Sequence, residues 1–494
     1  MFGWLDPVRQ WLSSEGALIL PQMQLALFGL GILITDFWLE EGQKRWNAWT
    51  ALAGVGFSGY SLYVLWDRGV VGTGFGGTIR VDSFFIFFSA LFLAATALAI
   101  LLSMKYLDIE AEQHGEYYAL MLFATIGMMF MASGEDLVVL FLALETMAIT
   151  FYVLTGFLRG NKKSNEGALK YMLLGAFSSG LLGYGFSLLY GMSGSTLLPE
   201  ITRGLAAAES GHALVVFAMV TVGAGMLFKV AAVPFHQWAP DAYEGAPTPI
   251  TAFLSTASKA ASFAMLLRLF LAVFWGLREE WGMILAAVAI ATITWGNFAA
   301  LTQSNLKRLL AYSSISHAGY VLLGLVAFAA NPVSITGLKG IAFYLFVYIF
   351  MNAGAFALVI ILRRKGLIGD DIEDLHGLYY RNPAAAVLLL IFMLSLAGLP
   401  PTAGFLGKYF IFLALIESKQ YVLAVVAVIY VVPALYYYFR LVQAAWMRDS
   451  NDPVAPIVSA GQAIALAAAL FVTLAAGLFP EPFIRFAQYS FMGK

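Results

Sequence analysis

Four ionisable side chains stand where the surrounding sequence is apolar. Glu145 lies in DLVVLFLALETMAITFYVL, Lys229 in VTVGAGMLFKVAAV and Lys259 in ITAFLSTASKAASFAML, while Lys408 follows the two prolines of LSLAGLPPTAGFLGKYF. One acid and three bases suit proton transfer. Burial disfavours an ammonium and a nearby carboxylate favours it. At 4 Å and an effective dielectric of about 20, one such pair is worth about 4 kcal/mol, enough to switch a lysine between holding and releasing its proton. Placing each charge inside a membrane costs about 2.5–3.5 kcal/mol on insertion scales, which asks for a functional return. Snorkelling to the interface is the plainer account of a membrane lysine or arginine. It serves Arg268, Lys170 and Lys307, which lie near predicted span ends, and fits Glu145 and Lys259 poorly. His317, in AYSSISHAGYVLLG beside Ser313, Ser314 and Ser316, and His236, in VPFHQW, are candidate proton relays. A single histidine on an apolar helix is nevertheless more often a satisfied core residue. No histidine and carboxylate set has metal-ligand spacing, so no metal site is predicted. The run GTGFGG at 72–77 reads as a flexible turn, because it lacks the strand and helix of a nucleotide site.

These residues sit in a chain of 494 residues that is 61% hydrophobic and 12% charged, with mean hydropathy +0.81. A soluble fold of this length leaves roughly a quarter of its surface exposed and could not hide so much apolar surface. Disorder needs low hydrophobicity and high net charge. With 28 Lys and Arg against 29 Asp and Glu, the net charge is -1 and no basic field for nucleic acid exists. The absence of cysteine excludes disulfides, thiolate zinc sites, cysteine-ligated iron–sulfur clusters and a cysteine nucleophile. Any redox centre coupled to this chain belongs to another subunit.

Runs of about 20 apolar residues span about 30 Å of hydrocarbon. About fourteen are predicted, near 17–39, 49–66, 83–104, 117–133, 136–158, 171–192, 213–233, 249–274, 283–302, 309–329, 340–362, 384–417, 421–444 and 458–478. The expected fold is an all-α polytopic membrane protein. The start MFGWLDPVRQWLSSEG lacks the basic region and cleavage site of a signal peptide, so the first span is expected to be retained. Lys and Arg collect in the loops after spans 1, 5, 9 and 11. The positive-inside rule makes those loops cytoplasmic and puts both termini outside, in the periplasm of a Gram-negative cell.

Proline interrupts two spans, at Pro234 in span 7 and at Pro400 and Pro401 in span 12. Proline removes an amide donor, and carbonyls freed at membrane depth need other partners. The similar stretches Ala231–Pro234 and Ala397–Pro400 lie five spans apart. Two inverted five-helix repeats, spans 4–8 and 9–13, would place the breaks equivalently. Proline is also commoner in membrane helices generally, and four similar residues do not decide between the two accounts. The expected division is 1–116 for spans 1–3, 117–274 and 283–444 for the two repeats, and 445–494 for span 14 and the tail.

The stretch AGMLFKVAAVPFHQWAPDAYEGAPTPITAFLSTASKAASFA resembles the signature of the antiporter-like membrane subunits of respiratory complex I. LKRLLAYSSISHAGY, ALKYMLLGAFSSG and LAGLPPTAGFLGKYF are similar to other stretches of that family, and the resemblance runs from about residue 80 to 445. Within the family it is nearest to the N-type branch. Lys408 stands where M-type members have glutamate, and the chain ends soon after span 14, whereas L-type members continue into a long lateral helix. The resemblance implies that Glu145 and Lys229 form the input pair, Lys259 the central carrier and Lys408 the output. Lys229 precedes its break and Lys408 follows the other, so the two are not equivalent positions. The implied function is proton translocation driven by NADH oxidation and quinone reduction in other membrane and peripheral subunits. Those subunits would hold the flavin, iron–sulfur clusters and quinone, with no cofactor in this chain. Alternatives are a subunit of a multisubunit Na⁺/H⁺ antiporter, an M- or L-type subunit, or a membrane scaffold, against which the mid-span charges speak.

Overall fold

The computed structural model describes residues 15–207, 211–364, 369–449, 456 and 458–492. Most of the amino-terminal stretch read above for a cleavage signal lies outside them. The described chain is nearly all helix. In order, α1 is Leu20–Thr35, α2 Trp46–Asp67, α3 Ser83–Glu110, α4 Gly115–Ser133, α5 Leu137–Thr155, α6 Lys162–Ser193 and α7 Leu198–Ala207. Then come α8 His212–Lys229, α9 Trp238–Gly245, α10 Thr248–Phe253, α11 Lys259–Ala272, α12 Arg278–Leu301, α13 Leu306–Ala330 and α14 Thr336–Leu362. The last are α15 Pro383–Ala397, α16 Ala403–Glu417, α17 Tyr421–Ile429, α18 Val431–Met447, α19 Ala460–Leu478 and α20 Glu481–Met492. Among the described residues, 11 helices are long and apolar enough to cross a membrane, and α1 and α15 are shorter apolar helices. Each of the fourteen predicted segments coincides with one helix or two consecutive ones.

Both predicted breaks are present. The span 7 helix α8 ends at Lys229, ahead of Pro234, and helix resumes as α9 beyond the predicted end at 233; span 12 divides into α15 and α16. One further irregularity has no proline signal, a π-helical turn over Leu254–Ser258 that joins α10 to α11. The interruption at Tyr430 between α17 and α18 does have one, since Pro433 cannot donate to the Ile429 carbonyl four residues back. The glycine-rich run forms a small hairpin, Gly72–Gly74 paired with Ile79–Val81, where a flexible turn was expected. The amphipathic helices α7 and α20 were also not anticipated.

Polar side chains set the helix starts by accepting from amides that the first turn leaves free. Asp82 accepts from Phe85 N at 2.8 Å, Asp136 from Val138 N at 2.8 Å and Asn305 from Arg308 N at 3.1 Å. The segment Thr248–Ala272, α13 and α14 are the most enclosed spans, whereas α6, α12 and the α17–α18 pair turn large apolar residues such as Phe177, Trp295 and Val432 outward. The helices bearing Lys259 and His317 are therefore shielded from lipid by a ring of other helices.

The basic loops gather at one end of the bundle. Lys163 pairs with Glu244 at 2.8 Å, Arg308 with Asp241 and Glu244 at 2.5 and 3.0 Å, and Arg363 with Glu110. At the other end Arg268 meets Asp82 at 2.8 Å and Glu135 at 3.0 Å. Arg268 was expected to snorkel. Its side chain is instead only 10% exposed, held by two carboxylates and by the Ala132 carbonyl. Lys307, also expected to snorkel, is buried, with Nζ on the Ala246 carbonyl at 3.0 Å and 3.3 Å from Asp370.

Candidate functional site

Close packing of α6 on α8 assembles the first group. A Cβ on Gly225 would lie 2.9 Å from the Leu182 side chain and 3.3 Å from the Ser178 carbonyl, so only glycine lets the helices approach this far. Ser178 Oγ donates to the Gly225 carbonyl at 3.1 Å, and the next residue, Ser179, is brought against Lys229. Lys229 Nζ lies 3.5 Å from Ser179 Oγ and 3.9 Å from Glu145 Oε1. The Ser179 hydroxyl donates to the same carboxylate. The pair thus meets through a serine that was not singled out in the sequence. The lysine side chain is 2% exposed, but that of Glu145 is 22% exposed, on the outer face of α5 beside Leu142 and Ile149. An acid wholly in the interior was expected. Its helical phase puts it at the edge of the chain instead.

The break after Lys229 is closed by side chains. Trp238 Nε1 donates to the Phe228 carbonyl at 3.0 Å, and Thr292 Oγ1 accepts from Val233 N at 3.0 Å. His236 is buried here, its ring centroid 5.7 Å from that of Trp295 and its Nδ1 without a hydrogen bond. Among the described residues no hydrogen bond joins it to Lys229.

Lys259 begins α11 immediately after the π turn, a distortion frequent at functional sites. Its Nζ donates to both the carbonyl and the hydroxyl of Ser314 on α13, each at 2.6 Å. One turn further along α13, His317 makes hydrogen bonds through both ring nitrogens. Nδ1 is 2.6 Å from Tyr344 Oη on α14 and Nε2 is 3.1 Å from Tyr438 Oη on α18. Tyr438 also hydrogen-bonds Ser313.

At the second break α15 ends in Gly398, whose φ of +86° is costly for any residue with a Cβ. Lys408 Nζ reaches back across the gap and donates to the Ala397 carbonyl at 2.8 Å and the Leu396 carbonyl at 3.3 Å. Lys229 and Lys408 occupy different positions relative to their prolines, as expected. Even so, Lys229 is itself the last residue of the half-helix α8, and the Lys408 amine binds the last carbonyls of the half-helix α15. The negative end of a helix dipole favours a cation at both places.

The structure therefore pairs Glu145 with Lys229, seats Lys259 on Ser314, ties His317 to two tyrosines and uses Lys408 as a cap, while His236 stands apart. Among the described residues no group of three His, Cys, Asp or Glu is placed to hold a metal ion. Several buried amines beside broken helices inside an apolar bundle are the features of an ion-translocating membrane protein.

Residues 134–432 match the family described as NADH:quinone oxidoreductase/Mrp antiporter, TM. The chain is 54% identical over 488 residues to NADH-quinone oxidoreductase subunit N 1 of Koribacter versatilis, covering 97% of this chain and 95% of that one. It is 51% identical over 486 residues to NADH-quinone oxidoreductase subunit N 2 of Solibacter usitatus, covering 97% and 98%. A chain of respiratory complex I from Thermus thermophilus with bound aureothin superposes with TM-score 0.79 at 32% identity, over 94% of this chain and 98% of that one. A chain of the Mrp complex from Dietzia shares the fold, with TM-score 0.79 at 23% identity over 95% and 96%. The chain belongs to the NADH:quinone oxidoreductase/Mrp antiporter family, in its NADH-quinone oxidoreductase subunit N branch.

Proposed function

We propose that this chain moves protons across the membrane through Glu145, Lys229, Lys259, His317 and Lys408, with Glu145 and Lys229 as the input pair, Lys259 as the central carrier and Lys408 at the output. As a subunit N family member it is a proton-translocating membrane subunit of NADH:quinone oxidoreductase, and its partners are other subunits of that complex. Flavin, iron–sulfur clusters and quinone belong to those subunits. The reading places the chain in the bacterial inner membrane with the basic loops cytoplasmic and both termini periplasmic. It treats spans 4–8 and 9–13, residues 117–274 and 283–444, as inverted repeats within fourteen crossings. His236, which lacks a hydrogen bond to the pair, is left out of the proposed path and assigned to the wall of the break.

The observation that carries this reading is the partner set of the three buried amines. Lys259 and Lys408 are held by hydroxyl and carbonyl oxygens, and Lys229 faces a carboxylate across a serine. A carbonyl or hydroxyl can accept from a neutral amine as well as from an ammonium. The site therefore tolerates both proton states, as a carrier requires. The test is Lys259→Ala in the complete enzyme in sealed inverted membrane vesicles, reading protons moved per NADH oxidised. A lower ratio with normal abundance of the complex is expected. An unchanged ratio would remove Lys259 from the path.

A further inference from the structure

The second half of the path contains a chain of hydrogen bonds that the lysines and histidine alone do not explain. Ser313 on α13 bonds Tyr438 on α18, Tyr438 bonds His317 Nε2 at 3.1 Å, and His317 Nδ1 bonds Tyr344 on α14 at 2.6 Å. All four side chains are buried. The chain has a direction. At one end Ser313 adjoins Ser314, which holds Lys259 Nζ. At the other end the Tyr344 ring packs on Gly407, where an added Cβ would lie 3.1 Å from Tyr344 Cδ2, and Gly407 precedes Lys408. The run thus lies between the helices that carry the two lysines, and among the described residues neither end is hydrogen-bonded to a lysine, so the step at each end passes through water.

The chemistry of the two partners decides what the imidazole does. A histidine held for structure commonly donates one N–H to a carbonyl or carboxylate, an acceptor that pins the proton to one nitrogen. Both partners of His317 are phenols, and each phenol oxygen donates or accepts. Neither tautomer is therefore preferred by its hydrogen bonds.

We propose that Tyr438 and Tyr344 are relay residues, so that the proton passes between Lys259 and Lys408 along Ser313, Tyr438, His317 and Tyr344 rather than on the imidazole alone. This rests on the proton path proposed above. A proton reaching the Tyr438 oxygen forms an O–H bond as the original Tyr438 proton moves to Nε2. The imidazolium then breaks its Nδ1–H bond toward Tyr344, whose own proton passes through water to the neutral Lys408 amine. One proton enters, one leaves, and no group is oxidised. Afterwards the hydroxyls rotate and the tautomer reverts, which makes the phenol O–H rotors part of each cycle.

The test is Tyr438→Phe and Tyr344→Phe, each compared with His317→Ala and Lys259→Ala in the complete enzyme in sealed inverted vesicles. Phenylalanine keeps the ring packing and removes the only donor and acceptor. The readouts are the initial rate of proton pumping, protons moved per NADH, and the fold by which deuterated water slows pumping. Each Phe variant should lower the proton-to-NADH ratio as far as His317→Ala does. The double variant Tyr438→Phe/His317→Ala should lower it no further, because serial links fail once. The deuterium effect should shrink toward that of His317→Ala. If either Phe variant pumps at the wild-type ratio while His317→Ala does not, that tyrosine only positions the ring and the proposal fails, leaving the lysine path standing. If His317→Ala and Lys259→Ala also pump normally, the path itself is wrong. Should one Phe variant not assemble, the other and Ser313→Ala, which interrupts the same run, decide by the same criteria.

Discussion

Replacing Glu145 with glutamine removes one negative charge and keeps the side chain's shape. The carboxylate lies 3.9 Å from the Lys229 amine. At an effective dielectric of about 20, that separation gives an attraction of about 4 kcal/mol. At 1.36 kcal/mol per decade, this is a factor of about 10³ in how firmly the pair holds its proton. The Glu145 side chain is 22% exposed, and water on that side would weaken the attraction, so about 4 kcal/mol is its upper bound. Glu145→Asp withdraws the carboxylate by about 1.5 Å and leaves an attraction of about 3 kcal/mol, so it should retain most of the effect. The assay is proton uptake into inverted vesicles, monitored beside NADH:quinone activity of the same membranes. Glu145→Gln should lower coupled turnover and pumping strongly and Glu145→Asp mildly. Ser179→Ala, which removes the hydroxyl between the two groups, should fall between them. Pumping at the wild-type rate by assembled enzyme carrying Glu145→Gln would refute the coupling and leave Glu145 a structural residue.

At the second break, Gly398→Ala adds a Cβ 2.7 Å from Lys408 Cδ at a φ of +86°. The left-handed conformation alone costs about 1–2 kcal/mol, and the displaced amine loses its bond to Ala397. Assembled complex with reduced pumping is expected, and normal pumping would show that the placement of Lys408 is not critical. Arg268→Met keeps volume but strips the cation from Asp82 and Glu135. Breaking a buried ion pair costs about 3–5 kcal/mol. Arg80, 3.3 Å from Asp82 and 3.6 Å from Glu135, should offset part of it. A lower thermal midpoint of the detergent-solubilised complex is expected, and an unchanged one would mean Arg80 suffices alone.

Each run picked by hydropathy falls on helix, and among the described residues 11 helices are long and apolar enough to cross a membrane, because a span needs a long apolar run whatever its neighbours are. Pro234 and Pro400 marked the breaks because proline cannot extend a hydrogen-bonded turn. Glu145, Lys229, Lys259 and Lys408 stood out because charges are rare in such runs. Their partners were hidden for a different reason. Ser179 meets Glu145 across 34 residues, and Arg268 meets Asp82 across 186. Serine or tyrosine in an apolar helix carries no warning of its own, so Tyr344 in AFYLFVY and Tyr438 in LYYYFR look like ordinary packing residues. The π turn before Lys259 left no mark either, since LSTAS contains neither Gly nor Pro. The outward phase of Glu145 was readable in principle from Leu142 and Ile149, which lie on the same face, but which face points outward depends on the packing of α6.

The central claim is that Lys259 gives up and regains a proton in every cycle. Arginine in its place keeps a positive charge and similar length, and stays protonated at any physiological pH. The most direct test is the proton-to-electron ratio of assembled enzyme carrying Lys259→Arg, measured in sealed vesicles with NADH oxidation recorded on the same sample. The account predicts a complex that assembles and pumps fewer protons per electron pair than the wild type. The wild-type ratio in Lys259→Arg would contradict it, because Lys259 would then be only a fixed positive charge.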